Sequence, residues 1–586
     1  MLSDDALINV RRPGRYIGHE WNVVKKNLSK IKFSFCLCFP EVYEIGMSHL
    51  GIRILYDILN SKKDVLCERA FCPWPDFKEA LIKNSSKLSS LGSDIPLREF
   101  DILGFSLNSE LNYTNILTML SLSNIPFMSK DRTANFPLII GGGNCTLNPE
   151  PIADFFDLFV IGEAEEIILD IVEICQKFKS KYGDICRKKE ELLIELCRIP
   201  GVYVPQFYHV EYNRDMTTKE FAPFKKEIPS VIKKVYVKDL NRVLKCQNWI
   251  VPNIEIIHDR IGIEIMRGCM HRCRFCQARS YSFPLRIRSP RRIFDLAKKL
   301  YKISGYEQIS LLSLSSSDHP QIGEIIKFLI KYFSKNAVSI SLPSIRAKNI
   351  VGDISSLLSL QRKTGLTFAP EAGTEKLRRI INKNINIDEL FQVVTDAFRS
   401  GYRRIKLYFM IGLPREDYKD LDAIVELSYR LSQIRREFCG QAAEINVSIA
   451  TLIPKPHTPF QWLGMAKIAD VAEKQKYLKR LINKDKHWIE LSFHDVYMSS
   501  LEAALSRGHR QLSKVILAAF SKGAQFDQWK EYFNFNNWRN SFLESGLDIE
   551  EFTRRPLELD KILIWDFIDT GVKKQYLIEE FQKALT

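Results

Sequence analysis

Three cysteines share one short run, Arg267-Gly-Cys269-Met-His-Arg-Cys273-Arg-Phe-Cys276-Gln, and this C-x3-C-x2-C spacing constrains the chain more than any other stretch. Thiolates so close in sequence belong to one tight loop. Three of them suit three irons of a cubane and leave the fourth iron for another ligand, because clusters that only carry electrons are normally held by four cysteines. A structural zinc site with His271 as fourth ligand is the alternative. It fits the spacing less well, since zinc knots draw two ligand pairs from separate turns and His271 lies between two of the cysteines.

At 586 residues the chain is too long for one core, and about three or four domains are expected. A composition 45% hydrophobic and 26% charged is that of a globular protein able to bury its cores, which excludes a disordered class. No run of 18 or more apolar residues occurs, and the first residues lack a basic stretch followed by an apolar one. The expectation is a soluble cytoplasmic protein with no membrane partner. Thirteen cysteines, an odd number scattered through apolar segments, read as buried thiols in a reducing compartment. Cys36 and Cys38 read as strand packing, with a second metal site as the lesser alternative. The formal charge of +15 would favour RNA or a ribonucleoprotein as partner, but the basic residues form no stripe interleaved with aromatics.

Strands and helices alternate along the first part. Ile31 to Phe39 is an apolar run suited to a buried strand, Leu50 to Leu59 has helical spacing, and Ile102 to Leu107 is a second strand. Pro137 to Ile140 runs into Gly141-Gly142-Gly143, and Leu158 to Ile161 repeats the pattern. Strand ends followed by small residues and then helices predict a doubly wound parallel sheet with ligands at the carboxyl edge. Alternation resumes with strands at Ile261–Met266, Gln308–Leu314, Val338–Leu342, Gly365–Ala369, Arg404–Ile411 and Ile445–Leu452. The expected fold class is α/β: a first α/β domain over 1–180, a connector over 181–255, a core barrel over 256–485 and a helical C-terminal domain over 486–586.

The cysteine spacing, with aromatic Phe275 before the last cysteine, resembles the signature of the radical S-adenosylmethionine (radical SAM) enzymes. The resemblance implies a partial (β/α)6 barrel, a 4Fe-4S cluster on Cys269, Cys273 and Cys276, and S-adenosylmethionine chelated to the open iron. One electron then cleaves it to a 5'-deoxyadenosyl radical, which implies a single-electron donor such as flavodoxin or ferredoxin. Later motifs follow in the family's order. Thr367-Phe-Ala-Pro-Glu371 resembles the fourth-strand motif whose carboxylate, here Glu371, approaches the cofactor ribose; a helix N-terminal charge is the alternative. Tyr408-Phe-Met-Ile-Gly412-Leu-Pro resembles the fifth-strand motif, in which Gly412 lets backbone approach the adenine and methionine portions. The usual Gly-Gly-Glu after the second strand is replaced by Leu314-Ser-Ser-Ser-Asp318, leaving Ser315 and Ser316 as candidates for the methionine amino group. Arg346 is a candidate for a carboxylate partner or a plain surface arginine. His457, in the Pro-rich loop Thr451 to Trp462, is a candidate for substrate or proton handling, with a bond to backbone as the alternative.

Glu41-Val-Tyr43-Glu-Ile-Gly46 can be laid on the D-x-H-x-x-G motif of cobalamin-binding domains, followed in order by Ser106 and by Gly141, Gly142 and Gly143. Tyr43 stands where that motif supplies histidine to cobalt, so cobalamin would bind without that lower ligand; His49 lies nearby, outside the motif position. The chain resembles cobalamin-binding-domain radical SAM proteins, most of all a bacterial group with a helical tail carrying a segment like Trp565 to Val572. This implies cleavage of S-adenosylmethionine with cobalamin-assisted methyl transfer to an unknown substrate. The alternatives are radical chemistry without methyl transfer, beside a vestigial cobalamin domain, and a non-catalytic cluster or corrinoid sensor docking on a nucleoprotein.

Overall fold

The computed structural model describes residues 7–244, 246–343, 366–482 and 488–586. Arg346 and the expected 485/486 boundary lie outside them. The chain forms two compact units: Met1–Asp259 with Ala504–Phe552 and Asp560–Gly571, and Arg260–Ala503 with Thr553–Leu559 and Val572–Thr586.

The first unit is built on one sheet: β1 (Phe33–Phe39), β2 (Val65–Phe71), β3 (Ile102–Ser106), β4 (Leu138–Gly142), β5 (Leu158–Val160) and β6 (Val202–Tyr203), in the order β2-β1-β3-β4-β5-β6. The β1–β5 pairings are parallel, and β6 joins antiparallel to β5. This is the doubly wound order whose switch point, where the strand order reverses, falls between β1 and β3. The reading from sequence lacks β2, because Glu68 and Arg69 interrupt its apolar run. All seven of its residues are nevertheless buried. Arg69 donates to both carboxylate oxygens of Glu20 at 2.7 and 3.1 Å, while Glu68 accepts from the Ser90 hydroxyl and, at 3.0 Å, from Ser93 N–H. Buried charges are tolerable when paired in this way.

The expected connector is part of the first unit. It supplies β6 and a hairpin of Tyr208–Tyr212 with Thr218–Pro223. The helical tail likewise does not form a domain of its own, because its apolar and polar faces are used by both units. In the first, Asp527 accepts from Thr114 Oγ1 at 2.9 Å, and Trp74 packs against Phe526, Trp529 and Tyr532. In the second, Ala584 and Phe581 of the last helix, Lys574–Leu585, join a core cluster with Met410, Leu452 and Phe460.

Among the described residues, two parallel ladders of the second unit together hold seven strands. One is β7 (Ile261–Glu264), β8 (Gln308–Leu312) and β9 (Ser339–Ser341); the other is β10 (Leu366–Glu371), β11 (Arg404–Ile411), β12 (Glu444–Thr451) and β13 (Ile489–Phe493). Helices lie between them, and Pro290–Ser304 shows why. Ser289 caps its start by accepting from Arg292 N–H, Gly305 ends it at φ 70°, and Ile293, Leu296, Ala297 and Leu300 bury one face at helical spacing. The seventh strand, β13, opens a tail that is otherwise mostly helical, as expected. It has only three apolar residues in five, alternating with exposed Glu490 and Ser492, a short signal for an edge strand. Among the described residues, no helix is long and apolar enough to cross a membrane.

Candidate active site

The cysteines lie on a loop, residues 268–285, closed at its base by a two-residue antiparallel pairing of Met266–Arg267 with Arg286–Ile287. Charge pins this base. Arg267 donates from Nε and Nη2 to the Glu264 carboxylate at 2.8 and 2.9 Å, and fully buried Arg288 donates to Glu264 O at 2.8 Å. Gly268 turns the chain into the first cysteine at φ 94°, and a Cβ there would come within 2.8 to 2.9 Å of Ser282 O, Leu285 Cα and Pro284 O. No other residue fits this turn without backbone movement.

Arg274, between the second and third cysteines, is the loop's anchor. Its Nη1 donates to Arg379 O and Ile380 O at 3.1 and 2.8 Å, its Nε to Glu580 at 3.1 Å, and its N–H to Ile381 O at 3.0 Å. Phe275 packs on the cluster that includes Met410, Leu452 and Phe460, so the loop is seated on the carboxyl ends of β11 and β12.

Cys269, Cys273 and Cys276 are half-buried free thiols. Burial pushes Cys276 up to about 11; the negative charge of Cys273, and then of Cys269, adds to the rise, while the N–H groups of Arg279 and Ala278 bond to its sulfur and oppose it. The three sulfurs thus act on one another, and iron, which binds thiolate, removes the proton that burial favours. Among the described residues, no three His, Cys, Asp or Glu side chains close to single-ion spacing. Thiolates of a cubane need not, since each sits on its own iron. His271, considered as a zinc ligand, bonds instead to Asp318 Oδ2 at 2.6 Å. Cys36 and Cys38 are buried in β1, as packing residues.

The other candidates of this unit sit at strand ends. After β8, Ser316 Oγ donates to Leu311 O at 3.0 Å, whereas Ser315 Oγ is buried with no partner among the described residues. Glu371 ends β10 in the left-handed region, φ 68°, beside a register shift in its pairing with β11, and its carboxylate accepts from Lys383 at 3.2 Å. Gly412 also has positive φ, 79°, and a Cβ would meet that of Ala466 at 3.3 Å; its N–H donates to Glu416 at 3.0 Å. His457 is buried at φ 58°, with its N–H donated to Gln461 at 2.9 Å and its carbonyl accepting from Ser280 Oγ at 2.6 Å. Non-glycine residues held at positive φ cost about 1 to 3 kcal/mol each and gather at working sites. Lys383, Asp318 and Thr451, whose buried Oγ1 has no partner among the described residues, escape the sequence reading as site residues; Asp318 and Thr451 lie at the ends of quoted runs, and no local pattern marks Lys383.

In the first unit, most motif residues are taken up by packing. Tyr43 is buried and donates from its hydroxyl to Glu20 at 3.1 Å. Gly46 leaves room for Phe71, whose ring carbons stand 2.3 to 2.5 Å from where a Cβ would lie, and Gly141 does the same for Phe159 and Leu107. Gly143, at φ 125°, lies against the Leu107 backbone. Gly142 alone of these glycines faces open space, opposite its register partner Ser106 at the carboxyl ends of β4 and β3. Beside them, Asn108 Nδ2 is buried without a partner among the described residues. His49 packs against Phe39 with the rings tilted at 44°, and burial lowers its pKa to about 4, leaving it neutral.

Residues 263–428, which begin in β7 and contain all three cysteines, match the family model of the radical SAM superfamily, and residues 51–205 match that of the N-terminal region of radical SAM proteins. The chain belongs to the radical SAM superfamily. It is similar to the archaeal protein MJ0966 of Methanocaldococcus jannaschii, 25% identical over 524 residues, covering 86% of this chain and 98% of that one. Among solved structures, this radical SAM protein resembles the methyltransferase TsrM of Kitasatospora setae, with cobalamin and a [4Fe-4S] cluster bound (13% identity, TM-score 0.49, 73% of this chain and 74% of that one). It also resembles the cobalamin-dependent enzyme OxsB (13% identity, TM-score 0.45, 94% of this chain and 78% of that one). The radical SAM match spans the cysteine loop, and the chain is a radical SAM enzyme.

Proposed function

We propose that this radical SAM enzyme couples reductive cleavage of S-adenosylmethionine to cobalamin-assisted methyl transfer onto a substrate carbon. The carrying observation for the radical step is the three-thiol loop inside the family match. For the corrinoid it is the switch-point sheet, with Ser106 and Gly142 side by side at its carboxyl edge and nothing within 4 Å of a Cβ at Gly142. When bound, the cluster supplies one electron to the sulfonium and the corrinoid a transferable methyl group.

The chain's own residues position and protect. Cys269, Cys273 and Cys276 would hold three irons of the cluster; Arg274 and Gly268 fix the loop that carries them. Ser315, whose buried hydroxyl has no partner among the described residues, suits the methionine amino group, and Glu371, at the carboxyl end of its strand, suits the ribose hydroxyls. Gly412 keeps the strand end low for adenine. His457, with its backbone fully bonded, holds an imidazole at a fixed place for substrate or a proton. Tyr43, its hydroxyl engaged with Glu20, would not serve as a ligand to a bound corrinoid. A one-electron donor such as flavodoxin or ferredoxin completes the system.

A second reading keeps the radical step and drops the corrinoid; it is favoured by the filling of the Gly46 and Gly141 spaces with aromatic rings. Protein purified from cells supplied with cobalamin separates the two. The methyl-transfer reading expects close to one corrinoid per chain and label carried onto it from methyl-labelled S-adenosylmethionine. A corrinoid-free preparation that still cleaves S-adenosylmethionine overturns it in favour of the second.

A further inference from the structure

A cavity of about 580 Å³ opens beside the cysteine loop in the second unit. It is of the size that takes a small organic molecule. Its walls are charged, and most of the charges pair off. Arg379 binds Glu375 at 2.5 Å, His271 binds Asp318 at 2.6 Å, and Lys383 binds Glu371 at 3.2 Å. Among the described residues, two of the lining residues, Arg378 and Glu389, form no ion pair, Arg378 feeling only the nearby charge of Glu375, which is bonded to Arg379. Arg378, 7% exposed, donates from Nη1 to Ala372 O and Gly373 O at 3.0 and 2.8 Å, which orients its fork, while Nε is buried and unbonded among the described residues. Glu389, in the first turn of helix Ile387–Arg399, has a buried Oε2 with no bond at all among the described residues.

A buried guanidinium and a carboxylate that form no ion pair among the described residues are each costly, and both line one cavity. The geometry points to a substrate pocket for a small ampholyte: a carboxylate-bearing molecule that meets Arg378 with its anionic end and Glu389 with an ammonium group. This rests on the radical SAM reading for its proximity to the cluster, since His271 of the cysteine loop lines the same space. It adds to that reading the class of molecule presented to the radical. A planar carboxylate matches the fork of an arginine better than that of a lysine, so the arginine itself is part of the specificity.

The test uses the full chain and the series of ω-amino acids from glycine to 6-aminohexanoate as probes, with butyrate and butylamine as single-charge controls. Calorimetric melting at excess probe is expected to show a rise of a few degrees in Tm for at least one amino acid of matching length and none for the controls. Arg378→Gln and Glu389→Gln are each expected to abolish the rise while the reduced holoenzyme still releases 5'-deoxyadenosine. Glu389→Gln leaves the backbone bonds of Arg378 in place and covers the case in which Arg378→Gln misfolds. The proposal is overturned if no amino acid in the series shifts Tm, if butyrate does as well as the amino acids, or if the shift survives both variants. It is equally overturned if both variants weaken S-adenosylmethionine and probe by the same factor, which would make the cavity part of the cofactor site. A Tm shift that behaves as expected in a protein releasing no 5'-deoxyadenosine would instead contradict the radical reading and leave the pocket standing.

Discussion

The carboxyl edges of the two parallel sheets treat their motif residues in opposite ways. In the second unit the strand ends are strained or unsatisfied: Glu371 and His457 sit at positive φ, and Ser315 and Thr451 keep buried hydroxyls without partners among the described residues. In the first unit, Tyr43, Gly46 and Gly141 are absorbed by a hydrogen bond or by neighbouring rings, and only Gly142 with Ser106 is left open. Free energy left unspent at a strand end marks a place where a ligand completes the structure, whereas a motif glycine filled by Phe71 or Phe159 has a sufficient structural role already. The contrast predicts one edge built around several ligand contacts and another with a narrow point of entry.

The largest expected effect breaks the second edge. Cys273→Ala should lower 5'-deoxyadenosine release by more than about 1,000-fold and abolish the visible absorption of reconstituted protein, because two thiolates do not retain the cubane. Gly268→Ala comes next. It meets three backbone atoms at 2.8 to 2.9 Å from a positive φ, so iron retention and thermal stability should fall together, by about 3 kcal/mol on unfolding, with far-UV circular dichroism unchanged below the transition. Retained iron would show that the turn gives way more easily than its contacts imply.

The first edge is sharpened by a pair of variants. Gly142→Val places two methyl groups in the open space and should weaken corrinoid retention about tenfold without touching iron content, a difference of about 1.4 kcal/mol. Gly46→Ala overpacks against Phe71 and should cost about 1 to 3 kcal/mol of stability with no selective loss of corrinoid. Equal corrinoid loss in both would erase the distinction. A pH-dependent effect concerns Glu41, which accepts from Val42 N–H and Trp529 Nε1 at 2.9 and 3.2 Å and is pushed up by burial to about 7 from 4.5. The folded state binds that proton more tightly than the unfolded chain, so stability is lost as pH rises from about 4.5 through about 7. Glu41→Gln should therefore gain about 1 to 3 kcal/mol at pH 8 and nothing at pH 4, read from denaturant unfolding at the two pH values.

What the sequence makes legible follows from how local each signal is. The cysteine loop, Phe275 and the glycine at the end of β11 lie within single short runs, and strands such as β11 and β12 are long and apolar enough to announce themselves. The edge strands do not. Glu68 and Arg69 hide β2 because their partners, Glu20, Ser90 and Ser93, are distant in sequence, and β13 carries too few apolar residues to be told from the helices after it. The tail misleads for a related reason. Its helices are plain in the sequence, but their packing partners, such as Trp74 and Arg274, lie hundreds of residues away. The same holds for the site: Lys383 reaches Glu371, and Asp318 reaches His271, through the fold alone.

The most direct test of the radical chemistry is product release from protein purified and reconstituted without air. With a strong reductant and S-adenosylmethionine, it should hold about four irons per chain and release 5'-deoxyadenosine and methionine in equal amounts. Zinc bound at Cys269, Cys273 and Cys276, or a fully loaded cluster that releases no 5'-deoxyadenosine, would contradict it.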